Sequence, residues 1–263
     1  MSETVNSILA NADYFVLLAF RVSGLVFSSP VFGRNIIPAR VKIGFIAALS
    51  FLFFTVTPPA GGIEYSSLFG FALIGVGELL TGIALAFVTN MFFTLTFTAG
   101  QLIDMQIGYG IANVYDPQNN TQIPMMGNLL NTVLLITFFA VNGHQRLIEI
   151  VYLTLKRLPV GAVTLSPQTG LLALEIFALT FLLGVMVAMP IVASALILEI
   201  AFGVLMRTVP QLNMFVVGVP VKMFVGLVTL MFMTPVFVGF SDRIFSEMFS
   251  GIEKMFSSFM VAA

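Results

Sequence analysis

The stretch GQLIDMQIGYGIANVYDPQNNTQIP, residues 100–124, decides how the rest of the sequence is read. It sets glycines, amides, two aspartates and two prolines between two strongly apolar flanks. One flank is 68–99, with Glu78 as its single charge; the other begins at Met125. Gln101, Asp104 and Gly108 recur at 3–4 spacing, so a helix arriving from 99 continues with a polar stripe. Gly108 and Gly110 permit a break or a close backbone approach. Asp116-Pro117 initiates a turn, and Asn119-Asn120 tolerate left-handed conformations. Ile123-Pro124 then leads into the next helix, whose first turn accepts proline. Non-helical backbone at membrane depth survives only where protein or water surrounds it. The polar loop therefore lies outside a membrane or lines a passage.

Composition narrows the class. The chain has 263 residues, 59% of them hydrophobic and 9% charged. Ordinary globular chains are about a quarter charged, so this one has too little polar surface to face water on its own and must hide in lipid, in partners, or in both. A net charge of -1 argues against nucleic acid as a partner, because backbone binding needs clustered Lys and Arg. With no Cys and one His, His144, a disulfide framework is excluded and a transition-metal site has little to build on. The N-terminus MSETVNSILANAD has no basic n-region and carries Glu3 and Asp13, so it does not read as a cleaved signal peptide.

Apolar segments fall at about 14–32, 43–57, 68–99, 125–141, 171–205 and 214–240, all of helical rather than strand length. Two do not fit simple spans. As one helix, 68–99 is roughly 48 Å long at 1.5 Å per residue, well beyond the hydrocarbon thickness. The 171–205 segment is longer still, and Pro190 near its middle predicts a kink or break. Loop charges add a second conflict. Arg34, Arg40 and Lys42 in the 33–42 loop and Arg146, Lys156 and Arg157 in the 142–170 loop both call for the cytoplasmic side. The apolar segments between them are odd in number, which places the loops on opposite sides. Splitting 68–99 into two crossings leaves about 16 residues per pass, too few. Hairpins packed mainly against other protein remove both conflicts. The tail, 242–261, reads as a separate amphipathic helix, with Phe245, Met248, Phe249, Ile252, Met255, Phe256 and Phe259 at 3–4 spacing. It lies at a membrane interface or against a partner helix.

Enzyme motifs are absent: no HExxH, GxSxG, Walker A or GxGxxG occurs, and His144 sits in the polar turn Asn142-Gly143-His144-Gln145. Arg21, Glu78, Glu175, Glu199, Arg207 and Lys222 interrupt apolar runs. A charge at mid-membrane costs at least ~2.5–3.5 kcal/mol, so ion pairing, in the chain or across a subunit interface, is their expected state. Met105, Met125 and Met126 flank the polar stretch as gap filler or as a deformable seal.

Five stretches then occur in order: FRVSGLVFSSPVFGRNIIPARVKIGF (20–45), GELLTGIALAF (77–87), AGQLIDMQIGYGIANVYDPQ (99–118), FFAVNGHQRLI (138–148) and RTVPQLNMFVVGVPVKMFVGL (207–227). Together they resemble the FliR family, the flagellar branch of the type III secretion export-apparatus proteins, across most of the chain. The VNGH and PQLN turns look more flagellar than injectisome.

The resemblance implies an all-α export-gate subunit with no catalytic residues and no cofactor. It would sit in the bacterial inner membrane at the base of the flagellar basal body. With FliP and FliQ, and the switch protein FlhB as a further partner, it would form the channel for unfolded flagellar proteins. The single export-gate domain, 1–263, would comprise FliP-like helical hairpins over about 12–205 and a FliQ-like hairpin over about 206–263, ending in the amphipathic helix. The family's pore plug maps by motif onto 106–122: Gln106, Gly108, Tyr109, Gly110, Asn113, Tyr115, Asp116, Pro117, Asn119, Asn120 and Gln122. The rival reading from the residues alone is a polytopic secondary transporter with broken helices. A polytopic membrane enzyme ranks below it, for want of clustered acids.

Overall fold

The computed structural model describes residues 7, 10–59, 63, 65, 67–109, 124–162, 167–209 and 214–259. Among the described residues there is no strand, and seven helices follow one another. They are α1 Ala12–Ser28, α2 Ala39–Val56, α3 Leu68–Ile107, α4 Met125–Ala140, α5 Gly143–Arg157, α6 Pro167–Thr208 and α7 Met214–Ser258. The all-α expectation holds. By length and apolarity α2, α3, α6 and α7 each suffice to cross a membrane.

Helix boundaries differ from the sequence reading in four places. The first is α3, one helix of 40 residues, which removes the two-crossing alternative. The second is α6, which runs unbroken through Pro190 for 42 residues, because a proline ring deletes one ladder bond while the flanking turns continue. The third is α7, which passes Pro220 and Pro235 and joins the 214–240 segment to the amphipathic tail in 45 residues, so the tail is not a separate helix. The last is α5, which occupies much of the expected 142–170 loop. Its charges Arg146, Glu149, Lys156 and Arg157 mask a buried stripe of Leu147, Ile150, Val151 and Leu155. That spacing is helical.

The chain folds as two compact units. One comprises Met1–Met91, Val141–Ile176 and Glu247–Ala263; the other comprises Phe92–Ala140 and Phe177–Ser246.

In the first unit α1 and α3 touch backbone to backbone. A Cβ on Gly24 would lie 2.4 Å from the Leu79 carbonyl, and one on Gly82 would lie 2.1 Å from the Arg21 carbonyl, so only glycine fits at either position. Asn90 Nδ2 donates to the Ser28 carbonyl at 2.8 Å, satisfying an end group of α1. Tyr14 and Phe15 pack on Phe54 of α2, and Tyr14 Oη donates to the Thr57 carbonyl at 2.9 Å. The tail's apolar face (Met248, Phe249, Ile252, Met255, Phe256, Phe259) is buried by the chain itself. Arg146 lies over the Phe249 ring at 4.4 Å, and Thr169 and Ser258 share a hydroxyl bond at 3.0 Å.

The second unit has an aromatic centre. Phe138 of α4 meets Phe93 of α3 and Phe245 of α7 edge-on, with centroids 5.5 and 5.4 Å apart.

Candidate functional site

Helices α3 and α4 flank the polar stretch: α3 ends at Ile107 and α4 begins at Met125. The α3 helix ends at Ile107 because Gly108 takes φ +93°, a left-handed conformation that favours glycine. Pro124 precedes α4 and accepts from the Asn128 amide at 2.9 Å, as a first-turn carbonyl does.

Close packing holds these ends in place. A Cβ on Gly100 would fall 2.0 Å from the Gly127 nitrogen and 2.1 Å from its Cα. The two helices therefore cross with backbone against backbone, four residues before Asp104 and two after Met125. A Cβ on Gly226 of α7 would stand 2.9 Å from Ile107, the last residue of α3.

Asp104 completes the site. It is buried, and its Oδ1 accepts from the Met126 amide at 3.4 Å, with the Met125 amide also directed at the carboxyl group. A carboxylate at the start of α4 meets the unpaired amides and the positive end of the helix dipole. Its second oxygen, Oδ2, is buried with no hydrogen-bond partner among the described residues. The expected polar stripe therefore splits: Gln101 is exposed, Gly108 is half-buried, and Asp104 turns inward to hold the next helix.

Of the residues assigned to the plug, Gln106, Gly108 and Tyr109 are half-buried at the end of α3. Gly110, Asn113, Tyr115, Asp116, Pro117, Asn119, Asn120 and Gln122 lie outside the described residues. The three methionines do not share one environment: Met105 and Met125 are 69% and 61% exposed, whereas Met126 is 2% exposed and part of the core.

The charges divide likewise. Arg21 and Glu78 are fully buried and form a two-pronged pair, Nε to Oε2 at 2.5 Å and Nη2 to Oε1 at 3.0 Å. The Leu158 carbonyl takes Arg21 Nη1 at 3.0 Å, and the Gly161 amide donates to Glu78 Oε1 at 2.8 Å. Gly161 reaches that position with φ +92°. Lys222 pairs with Glu199 across α6 and α7. Glu175, Glu199 and Arg207 are exposed on this chain, and Glu175 and Arg207 have no salt bridge among the described residues. They lie on the outer face of α6, so interrupting an apolar run does not mean facing inward. Lys42, read as a loop charge, is instead buried and donates to the Gly33 carbonyl at 2.8 Å.

Asp104, Gly100, Gly127 and Gly226 escape the sequence-based assignment of site residues. Gly100, Asp104 and Gly108 do share one face of α3 by spacing, but the contacts with Gly127 and Gly226 that give that face its role are tertiary and leave no local signal. Among the described residues no three His, Asp or Glu side chains gather as metal ligands.

Comparison with known proteins agrees with this architecture. The sequence model of the family described as "Bacterial export proteins, family 1" matches residues 12–248. The chain is 32% identical to the flagellar biosynthetic protein FliR of Escherichia coli over 239 residues, covering 90% of each chain. It is 32% identical over 231 residues to the protein of that name in Bacillus subtilis, covering 86% of this chain and 88% of the relative. The Aquifex aeolicus protein of that name is 28% identical over 247 residues, covering 93% and 94% respectively.

Proposed function

This chain belongs to family 1 of the bacterial export proteins, and from that premise we propose that it is a subunit of the flagellar type III protein export gate. In this reading it assembles with FliP and FliQ, and with FlhB as a further partner, in the bacterial inner membrane at the base of the flagellum. Unfolded flagellar proteins pass through the channel so formed. The FliP-like part is about 12–205 and the FliQ-like part about 206–263, and the loop at 106–122 closes the channel when no substrate is moving.

One observation carries the proposal: the long polar insertion between apolar helices has both its ends fixed in a purpose-built seat. The Gly100–Gly127 crossing, the Asp104 carboxylate at the start of α4 and the Ile107–Gly226 contact hold them. A merely connecting surface loop has no need of such close backbone packing. Shaped glycines and a buried carboxylate at its ends suit a loop that must be held at a fixed place.

Deleting 106–122 tests the loop. The expected result is greater permeability to ions and small molecules in cells that make the assembled complex. Unchanged permeability with normal assembly contradicts the gating role. Purification of the complex followed by mass spectrometry tests the partners, and absence of FliP and FliQ contradicts the assembly.

A further inference from the structure

The second unit contains an apolar cavity of about 210 Å³. Its walls include Ile103 of α3, Leu130 of α4, Met186 and Pro190 of α6, and Leu230 and Phe237 of α7. The hydroxyl of Thr234, also in the wall, already donates to the Leu230 carbonyl at 2.9 Å. The cavity is a half-open cleft: Met186 and Val236 in its wall are exposed, whereas Ile103 and Leu130 are buried at its floor.

Its position is informative. Ile103 immediately precedes Asp104, and Leu130 lies one turn beyond Met126, so two walls belong to the seats of the polar loop. The remaining walls belong to interrupted helices. Pro190 has no N–H, which leaves the Met186 carbonyl of α6 without its helical partner, and Pro235 does the same to Met231 of α7. Ser194 donates back to the Ile191 carbonyl at 2.8 Å, and Thr234 back-bonds to Leu230 beside Pro235. Such bonds bend helices and loosen their ladder. Turns of α6 and α7 that lack a ladder bond thus border the cleft.

We propose that this cavity is working space for the loop seats. When the ends of α3 and α4 shift, Ile103 and Leu130 move into it, and α6 and α7 flex at Pro190 and Pro235. A close-packed core resists small displacements, whereas a cleft beside helix interruptions leaves room for them. The consequence for export rests on the loop-gate reading, whereas the mechanical claim concerns only residues 100–109 and 125–131.

Hydrogen exchange of the full chain in its membrane complex tests this, with two variants of opposite sense. Val187→Phe adds volume at the cavity wall, and exchange in 100–109 and 125–131 should slow roughly tenfold while export falls. Phe237→Leu enlarges the cleft and should speed exchange in the same peptides. Unchanged exchange in both variants overturns the inference. If Val187→Phe does not accumulate, Phe237→Leu decides alone, and unchanged exchange there overturns it equally. Slower exchange with undiminished export upholds the mechanical claim and counts instead against the loop-gate reading.

Discussion

Helix α3 carries two buried acids in very different surroundings. Glu78, in the first unit, has both oxygens engaged: Arg21 grips it with two prongs, and the Gly161 amide adds a third bond. Asp104, in the second unit, has no cation within salt-bridge distance among the described residues, a long 3.4 Å bond to the Met126 amide and one oxygen without a partner. A fully satisfied buried network rigidifies its surroundings, whereas a buried polar atom without a partner carries a desolvation cost. The contrast separates a fully satisfied site in the first unit from a less satisfied one in the second, at the start of the polar stretch 100–124.

Arg21→Ala should show the largest effect. It leaves Glu78 charged and unpaired in a dry site, at a cost of about 3–5 kcal/mol, and it orphans the Leu158 carbonyl as well. With marginal stabilities of ~5–15 kcal/mol, the variant should scarcely accumulate in membranes, as immunoblotting would read. Arg21→Met with Glu78→Leu, which removes both charges, should recover much of the loss. Normal accumulation of Arg21→Ala would erase the contrast, because Glu78 would then be no more demanding than Asp104.

Asp104→Asn should be milder for folding and sharper for function. The amide oxygen can still accept from the start of α4, so loss of the charge at a helix N-terminus costs about 0.5–2 kcal/mol. Accumulation should stay near normal while permeability of the resting complex changes, measured as ion leak in cells. A drop in accumulation as deep as that of Arg21→Ala would make Asp104 a second structural lock.

These two sites are unequally legible in the sequence. Arg21 and Glu78 stand out because each charge breaks an apolar run, and ion pairing follows from desolvation alone. Their partner segment at Leu158–Gly161 is hidden, since α5 reads as a charged loop. That error comes from weighing apolar run length over 3–4 periodicity, which Leu147, Ile150, Val151 and Leu155 display. Glu175 and Arg207 fail in the opposite direction: the same interruption of an apolar run places them on an exposed face. Asp104 looks like one more member of a solvated stripe, because which face of α3 meets α4 depends on the Gly100–Gly127 crossing, a contact 27 residues apart in sequence that periodicity cannot show. The tail's amphipathicity is plain, but its partner is this chain's own helices. In-chain pairing of Arg21 with Glu78 and of Lys222 with Glu199 means that these four charges need no partner subunit to neutralise them. The chain's exposed apolar surface remains, with Ile200 and Phe224 at 70% and 68%.

The Lys222–Glu199 pair gives the smallest expected effect and the most discriminating one. Its side chains are 13% and 43% exposed, against 1% and 0% for Arg21 and Glu78. In water such a half-exposed pair contributes only ~0–1 kcal/mol, because solvent screens it and two long side chains lose freedom. Its neighbours Ile197, Ile200 and Phe224 are exposed and apolar, which is no surface for water to wet. A double-mutant cycle of Lys222→Met and Glu199→Gln, read by thermal unfolding of the purified chain, should give coupling of at most about 1 kcal/mol. The same cycle in the assembled complex should give more, because covering that face with protein removes the screening and leaves each single variant with an uncompensated buried charge. Equal coupling in both preparations would show that assembly leaves this face of α6 and α7 as it is in the solitary chain. Among the described residues, the only desolvated ion pair would then be Arg21–Glu78.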